Sequence, residues 1–212
     1  MNAKQEILNR IRAAGQIPAH DIARDYLCGT EASRSDIIAD MVAALEDYTA
    51  IVTIVPPAGV GDAIDEMLLE ADTVVVPPGL DESWRDAAGR HGRAVRIDDP
   101  PLSKADLDAT DAVVTASRVG VSLSGTIILD GQPDQGRRAI SLVPDTHVIV
   151  LDADDIKATV PEAVAIVEEH PLRPTTWIAG PSATSDIELV RVDGVHGPRN
   201  LRVIIVDQTL DR

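Results

Sequence analysis

The sequence predicts an α/β domain: a parallel-type sheet flanked by helices, with a β-rich hairpin excursion in its middle and helices at its N-terminus. Three observations predict it. The runs AIVTIVPP, TVVVPP and AVRIDDPP recur about every 21–23 residues, each stopped by a Pro-Pro pair at 56–57, 77–78 and 100–101. Proline lacks the N–H that a sheet ladder needs, so each pair ends its strand sharply. The repeat has room for one strand and one helix, which is the βαβ pattern of a parallel sheet. The 212-residue chain has no Phe, two Trp and two Tyr at 44% hydrophobic content. Its core must therefore be built from Val, Ile, Leu and Ala, the usual filling between a parallel sheet and its helices.

Taken in order, Ile7, Leu8 and Ile11 lie at helical spacing, so residues 3–14 form a short helix ended by Gly15. Residues 15–34 lack sustained periodicity. A second helix runs from Ser35 to Tyr48, with Ser35 placed to cap it and Ile37, Ile38, Met41, Val42 and Leu45 on one stripe. The expected organisation is an N-terminal helical segment, 1–48, followed by an α/β domain, 49–212. Within that domain, helices at 60–70 and 81–91 separate the three proline-ended strands. The middle has β-type runs at 111–115, 126–129 and 147–151, joined by turns such as DGQPDQG (130–136), and reads as hairpins. A helix follows at 161–169 with Pro161 in its first turn. TTWIAG is a strand, SATSDIEL a loop entering a helical turn, and LRVIIVD the closing strand.

The formal net charge of -16 argues against nucleic acid or an anionic membrane as partner, since both reward positive surfaces. A small anion needs only one local positive pocket and is not excluded. Cys28 is the single cysteine, so no zinc or iron–sulfur site can be built from this chain's thiolates. MNAKQEILNRIRAAG is a charged amphipathic helix rather than a signal peptide, and no apolar run approaches the ~18–20 residues of a membrane span. The expected compartment is the cytoplasm. The five histidines at 20, 91, 147, 170 and 196 show no metal-ligand spacing, and neither a P-loop nor G-x-S-x-G occurs.

Three stretches carry candidate binding residues. In GPSATSD, the hydroxyls of Ser182, Thr184 and Ser185 stand at the mouth of a helical turn. Hydroxyls and free N–H groups in that position hold an anion or cap the helix. Glu188, three after Ser185, has capping-box spacing and favours the second reading. In DGVHGPRNL, Gly194 and Gly197 free the backbone, Pro198 stiffens it, and His196 and Arg199 stand at the rim. Such a loop suits carboxylate or phosphate, or its arginine pairs with a surface carboxylate. Arg137-Arg138 is the one adjacent cationic pair in an acidic chain. It either contributes positive charge to a site or divides into one salt-bridged and one exposed arginine. Ser122 and Ser124 in SLSGT lack an identifiable base.

The ordered stretches SGTIILD…GQPDQGRRAISLVPDTHVIVL and GPSATSDIELVRVDGVHGPRNLRVIIVD resemble the lactate utilization protein C family, the LUD domain, over about residues 110–207. The resemblance implies a fold similar to glucosamine-6-phosphate deaminase, ribose-5-phosphate isomerase and the CoA-transferases. It implies a role in oxidising L-lactate to pyruvate alongside companion iron–sulfur proteins, which would carry the clusters that one cysteine cannot. One departure stands out: the family commonly has Glu-Thr-Gly-Thr where this chain has Leu123-Ser124-Gly125-Thr126. Related CoA-transferases use a glutamate in this region as nucleophile, and leucine cannot replace it. The expectation is a cluster-free subunit, with homo-oligomers open, that holds a small anionic ligand near Arg137, Arg138, Ser182, Thr184, Ser185, His196 and Arg199. A stand-alone phosphosugar- or CoA-ester-type enzyme and a non-catalytic binding module remain the alternatives.

Overall fold

The computed structural model describes residues 2–15, 21–184, 192–194 and 196–211. Helix α1 (Ala3–Ala13) is capped by the Asn2 side chain, which accepts from the Gln5 amide at 3.0 Å, and it buries no residue. Helix α2 (Arg34–Asp47) has its cap two residues before the expected Ser35, at Ser33. The Ser33 hydroxyl accepts from the Asp36 amide at 3.2 Å while the Asp36 carboxylate accepts from the Ser33 amide at 3.3 Å. That reciprocal pair satisfies two free donors, which Ser35 inside the helix cannot do. The predicted stripe is the buried face: Ile38, Met41 and Leu45 are enclosed, with Ile37 and Val42 packed at the margin.

Of the next three strands, the first two stop directly at their Pro-Pro pairs, and the third stops at Ile97, before Asp98, Asp99 and its own pair. These strands are β1 (Ile51–Val55), β2 (Thr73–Val76) and β3 (Ala94–Ile97), separated by α3 (Val60–Met67) and α4 (Glu82–Ala88). A short helix α5 (Lys104–Asp108), capped by a Ser103–Asp106 box, precedes β4 (Ala112–Thr115). Then come β5 (Val119–Val121), β6 (Thr126–Leu129), β7 (Thr146–Asp152), β8 (Ile156–Lys157), α6 (Val160–Val167) and β9 (Thr176–Ala179). The short pair β10 (Ala183–Thr184) and β11 (Val192–Asp193) leads to β12 (Asn200–Val206).

Six strands form the central sheet in the order β1-β12-β7-β4-β2-β3, every pairing parallel. A four-stranded sheet, β8-β5-β6-β9, stands beside it, and β10 pairs β11 antiparallel. The α/β expectation holds, but the β-rich middle is only partly hairpin. β5 and β6 are antiparallel neighbours, whereas β4 and β7 lie at the centre of the parallel sheet. Their interior residues are buried on both faces, which is why these runs are apolar without alternation. TTWIAG pairs with β6 in the smaller sheet.

Alternation along β7 divides the core. Val148 and Val150 pack with α3 and α4, while Ile149 and Leu151 pack with α2 and β6. On that second face, Ile140 of the β6–β7 connection packs with Val75, Val113 and Leu107. The chain thus leaves β2 towards one face and β4 towards the other, so the sheet has its switch point between these two strands. Open α/β sheets bind ligands at the carboxyl ends beside such a point. Here the 130–136 turn bridges it: the Gly79 amide, just past β2, donates to the Pro133 carbonyl at 2.9 Å, and the Ala116 amide, just past β4, donates to the Asp134 carbonyl at 3.1 Å. A Cβ at Gly79 would stand 2.5 Å from that of Pro133, so only glycine allows this approach.

Candidate functional site: a cleft beside Arg138

The two blocks singled out in the sequence fold against each other through Ser182. Its amide donates to the Pro198 carbonyl at 2.8 Å, its carbonyl accepts from the Gly194 amide at 2.7 Å, and its hydroxyl accepts from the His196 amide at 3.0 Å. Between this bracket, β9 and the segment following the 130–136 turn lies a cleft of about 530 Å³, lined by Arg138, Ser141, His147, Thr176, Ser182 and His196 among others. The structure therefore gathers Arg138, Ser182 and His196, three of the residues selected from sequence. Thr184 lies on β10, and Ser185 and Glu188, with the capping-box spacing read from the sequence, fall outside the described residues.

The three candidate arginines have different fates. Arg137 grips the buried Asp98 with two bonds, Nε to Oδ2 at 2.6 Å and a terminal nitrogen to Oδ1 at 3.0 Å, and also donates to the Leu102 carbonyl at 2.7 Å. Burial pushes the Asp98 carboxyl up, but the bonds from Arg137 and the Leu102 amide outweigh it and hold the carboxyl below its ordinary range. Arg199 donates to both oxygens of Asp145 at 2.7 and 2.6 Å, and its stem lies so close over Gly194 that a Cβ there would be 2.6 Å from Nε. It anchors the base of the loop and does not line the cleft. Arg138 is exposed, and its guanidinium has no hydrogen-bond or ion-pair partner among the described residues. It is the charge this cleft presents to solvent.

Sequence spacing missed His147. It lies at the start of β7, fully buried, with Nε2 2.9 Å from the Thr115 hydroxyl and Nδ1 unpartnered. Burial pushes its pKa down to about 3. The signal was a polar ring in an otherwise apolar run, THVIVLD, which marks burial without showing what the ring faces. Because the folded pKa lies below the unfolded one, protons bind the unfolded chain first. This group therefore erodes stability as pH falls from about 6.5 towards 3. The His147 imidazole is expected to stay neutral, with flat nitrogen chemical shifts between about pH 5 and 8. A titration centred near 6.5 would contradict that burial.

Leu123 is 70% exposed and lines a separate apolar groove of about 710 Å³ with Tyr26, Leu27, Val160 and Val164. The Leu123 position, where the resemblance led to an expected glutamate, thus lies away from the Arg138 cleft. Ser124 shares a 2.8 Å hydrogen bond with Thr126, and Cys28 is exposed and free. Among the described residues no cluster of three or more His, Cys, Asp or Glu is placed to hold a metal ion, and no helix is long and apolar enough to cross a membrane.

The LUD domain family matches residues 44–206, which contain the whole central sheet and the cleft. The chain belongs to the LUD domain family. The chain is 45% identical over 208 residues to the lactate utilization protein C of Deinococcus radiodurans, covering 96% of this chain and 95% of that one. It is 31% identical over 137 residues to the lactate utilization protein C of Geobacillus kaustophilus, covering 60% and 57% of the two chains. A crystal structure of a DUF162 family protein from Deinococcus radiodurans matches with a TM-score of 0.72 at 42% identity, covering 83% of this chain and 99% of that chain. The family resemblance read from the GPSATSDIE and GVHGPR blocks is confirmed.

Proposed function

We propose that this LUD domain serves lactate utilization as the cluster-free subunit of a cytoplasmic iron–sulfur system that oxidises L-lactate to pyruvate. The supporting observation is its 45% identity, over nearly the full length of both chains, to a relative named lactate utilization protein C. Oxidising lactate to pyruvate removes two electrons and two protons, and those electrons need an acceptor. One exposed cysteine supplies too few thiolates for a cluster, so companion proteins would carry it. This chain's contribution is an anion site. Arg138 would take a carboxylate or phosphate in the fork geometry of a guanidinium, with Ser182 holding the His196 loop against the bound anion.

Two measurements test the reading. A clean deletion in a host without another active lactate dehydrogenase is expected to abolish growth on L-lactate and spare growth on a sugar. Normal growth on L-lactate would refute the physiological role. Calorimetry of lactate, pyruvate and phosphate is expected to show Arg138→Ala weakening binding by about 1.5–3 kcal/mol, the range for a hydrogen bond to a charged group. Equal affinities would remove Arg138 from the site.

A further inference from the structure

The cleft beside Arg138 does not end at Arg138. A second cleft of about 580 Å³ shares Arg138, Ser141 and Thr176 with the first and extends to the carboxyl ends of β2 and β3. It lies beside the 130–136 turn, at the switch point where an α/β sheet favours a ligand. Its character differs from that of the first lobe. The exposed rings of Pro78, Pro101, Pro133 and Pro174 form its walls together with Leu129. Asp98 and Arg137, which also line it, satisfy each other. Arg138, whose guanidinium has no partner among the described residues, therefore stands at the waist, between a lobe with histidine and hydroxyl groups and a lobe of prolines.

Lactate has six heavy atoms, and either lobe is several times its size. With lactate alone on Arg138, the prolyl lobe would hold water against apolar walls, an unfavourable arrangement. Four proline rings are rigid and cannot close around a thin chain, but they present broad C–H faces to a rigid slab. We propose that the prolyl lobe is a subsite for a flat ring carried by the anion bound at Arg138. The ligand class is then a ring-bearing phosphate or carboxylate of nucleotide size. This rests on the anion-site reading above and adds the size and chemistry of what the anion is attached to.

The test compares inorganic phosphate and ribose 5-phosphate with three ring-bearing monophosphates: AMP, nicotinamide mononucleotide and flavin mononucleotide. All are titrated calorimetrically into the full-length chain, its Arg138→Ala variant and a Gln132→Trp variant. Gln132 lines the prolyl lobe, and its carbonyl accepts from the Gln135 and Gly136 amides, so an indole there fills the lobe while the turn keeps its bonds. At least one ring-bearing phosphate is expected to bind tenfold or more tighter than ribose 5-phosphate. Gln132→Trp is expected to erase that gain while leaving phosphate and ribose 5-phosphate within twofold. If Gln132→Trp fails to fold, Pro101→Trp fills the same lobe from another of its lining residues. Phosphate binding that depends on Arg138, with no gain from any ring, overturns this inference alone. Gln132→Trp weakening all ligands alike overturns it too. No binding of any phosphate or of lactate overturns the anion site as well.

Discussion

Arg137→Ala is expected to lower the unfolding free energy by about 2–4 kcal/mol, whereas Arg138→Ala next to it stays within about 0.5 kcal/mol. The two residues are identical in type and adjacent in sequence, so the difference comes entirely from what each one meets. Asp98 keeps only 3% of its side-chain surface, and Arg137 supplies both bonds that neutralise it. Removing the arginine leaves a buried carboxylate with the Leu102 amide at 2.8 Å as its remaining donor among the described residues. The loss falls below the top of the range for fully buried pairs because Arg137 keeps 38% of its own side chain in water, where solvent screens it. The pH dependence is a second signature. In the wild type the Asp98 carboxyl is held below its ordinary range, so its contribution is present at neutral pH and disappears as pH falls through that lowered value. In Arg137→Ala, desolvation acts unopposed by the guanidinium and raises the carboxyl pKa. Protonation then relieves the uncompensated charge, and the deficit is expected to shrink between pH 7 and about 4.5. Urea denaturation of the three proteins at both pH values measures this. A deficit that is equal for the two variants, or that widens on acidification, would show that Asp98 does not depend on Arg137.

Gly125→Ala is expected to destabilise the chain by a comparable about 2–4 kcal/mol, for two separable reasons. Gly125 ends the Ser122–Ser124 turn at φ +59°, in the left-handed region that a Cβ disfavours by roughly 1–2 kcal/mol. A Cβ there would also stand 3.0 Å from the Ala44 carbonyl carbon and the Leu45 nitrogen, backbone atoms of α2 that cannot rotate away. The helix has to retreat from the second sheet, loosening Met41 and Leu45, both fully buried. Asparagine tolerates the left-handed region better than alanine but carries the same Cβ. Gly125→Asn is therefore expected to recover part of the loss and no more. Full recovery would leave backbone conformation as the sole cause, and a melting temperature unchanged by either substitution would refute the close packing of α2.

The SLSGT stretch shows how legibility divided. Its glycine belongs to the fold, and its leucine sits in a different groove from the Arg138 cleft. The ordered GPSATSDIE and GVHGPR blocks were enough to identify the family, and Ser182 and His196 do come together. Neither block shows that Arg199 closes on Asp145, 54 residues away. His147 was visible as a residue but not as part of a site, because its burial depends on what covers the second face of the sheet.

What the sequence determined by itself are the features governed by neighbours along the chain. The Pro-Pro pairs end β1 and β2 because a missing N–H is a local fact, and the Ile38–Met41–Leu45 stripe sets the buried face of α2 because helical spacing is local too. The acidic balance and the single cysteine belong to the same class. Strand order was decided only in the tertiary structure. An apolar run such as AVVT is compatible with a hairpin or with the middle of a parallel sheet, and the choice depends on helices and strands far away covering both faces. The same holds for charge. Asp98 lies 39 residues before Arg137, and the fold brings its carboxylate to that guanidinium while leaving the adjacent Arg138 facing the cleft. Hydrogen bonds and ion pairs act over a few ångströms in space, so which arginine was left without a partner among the described residues could be settled only by the folded chain.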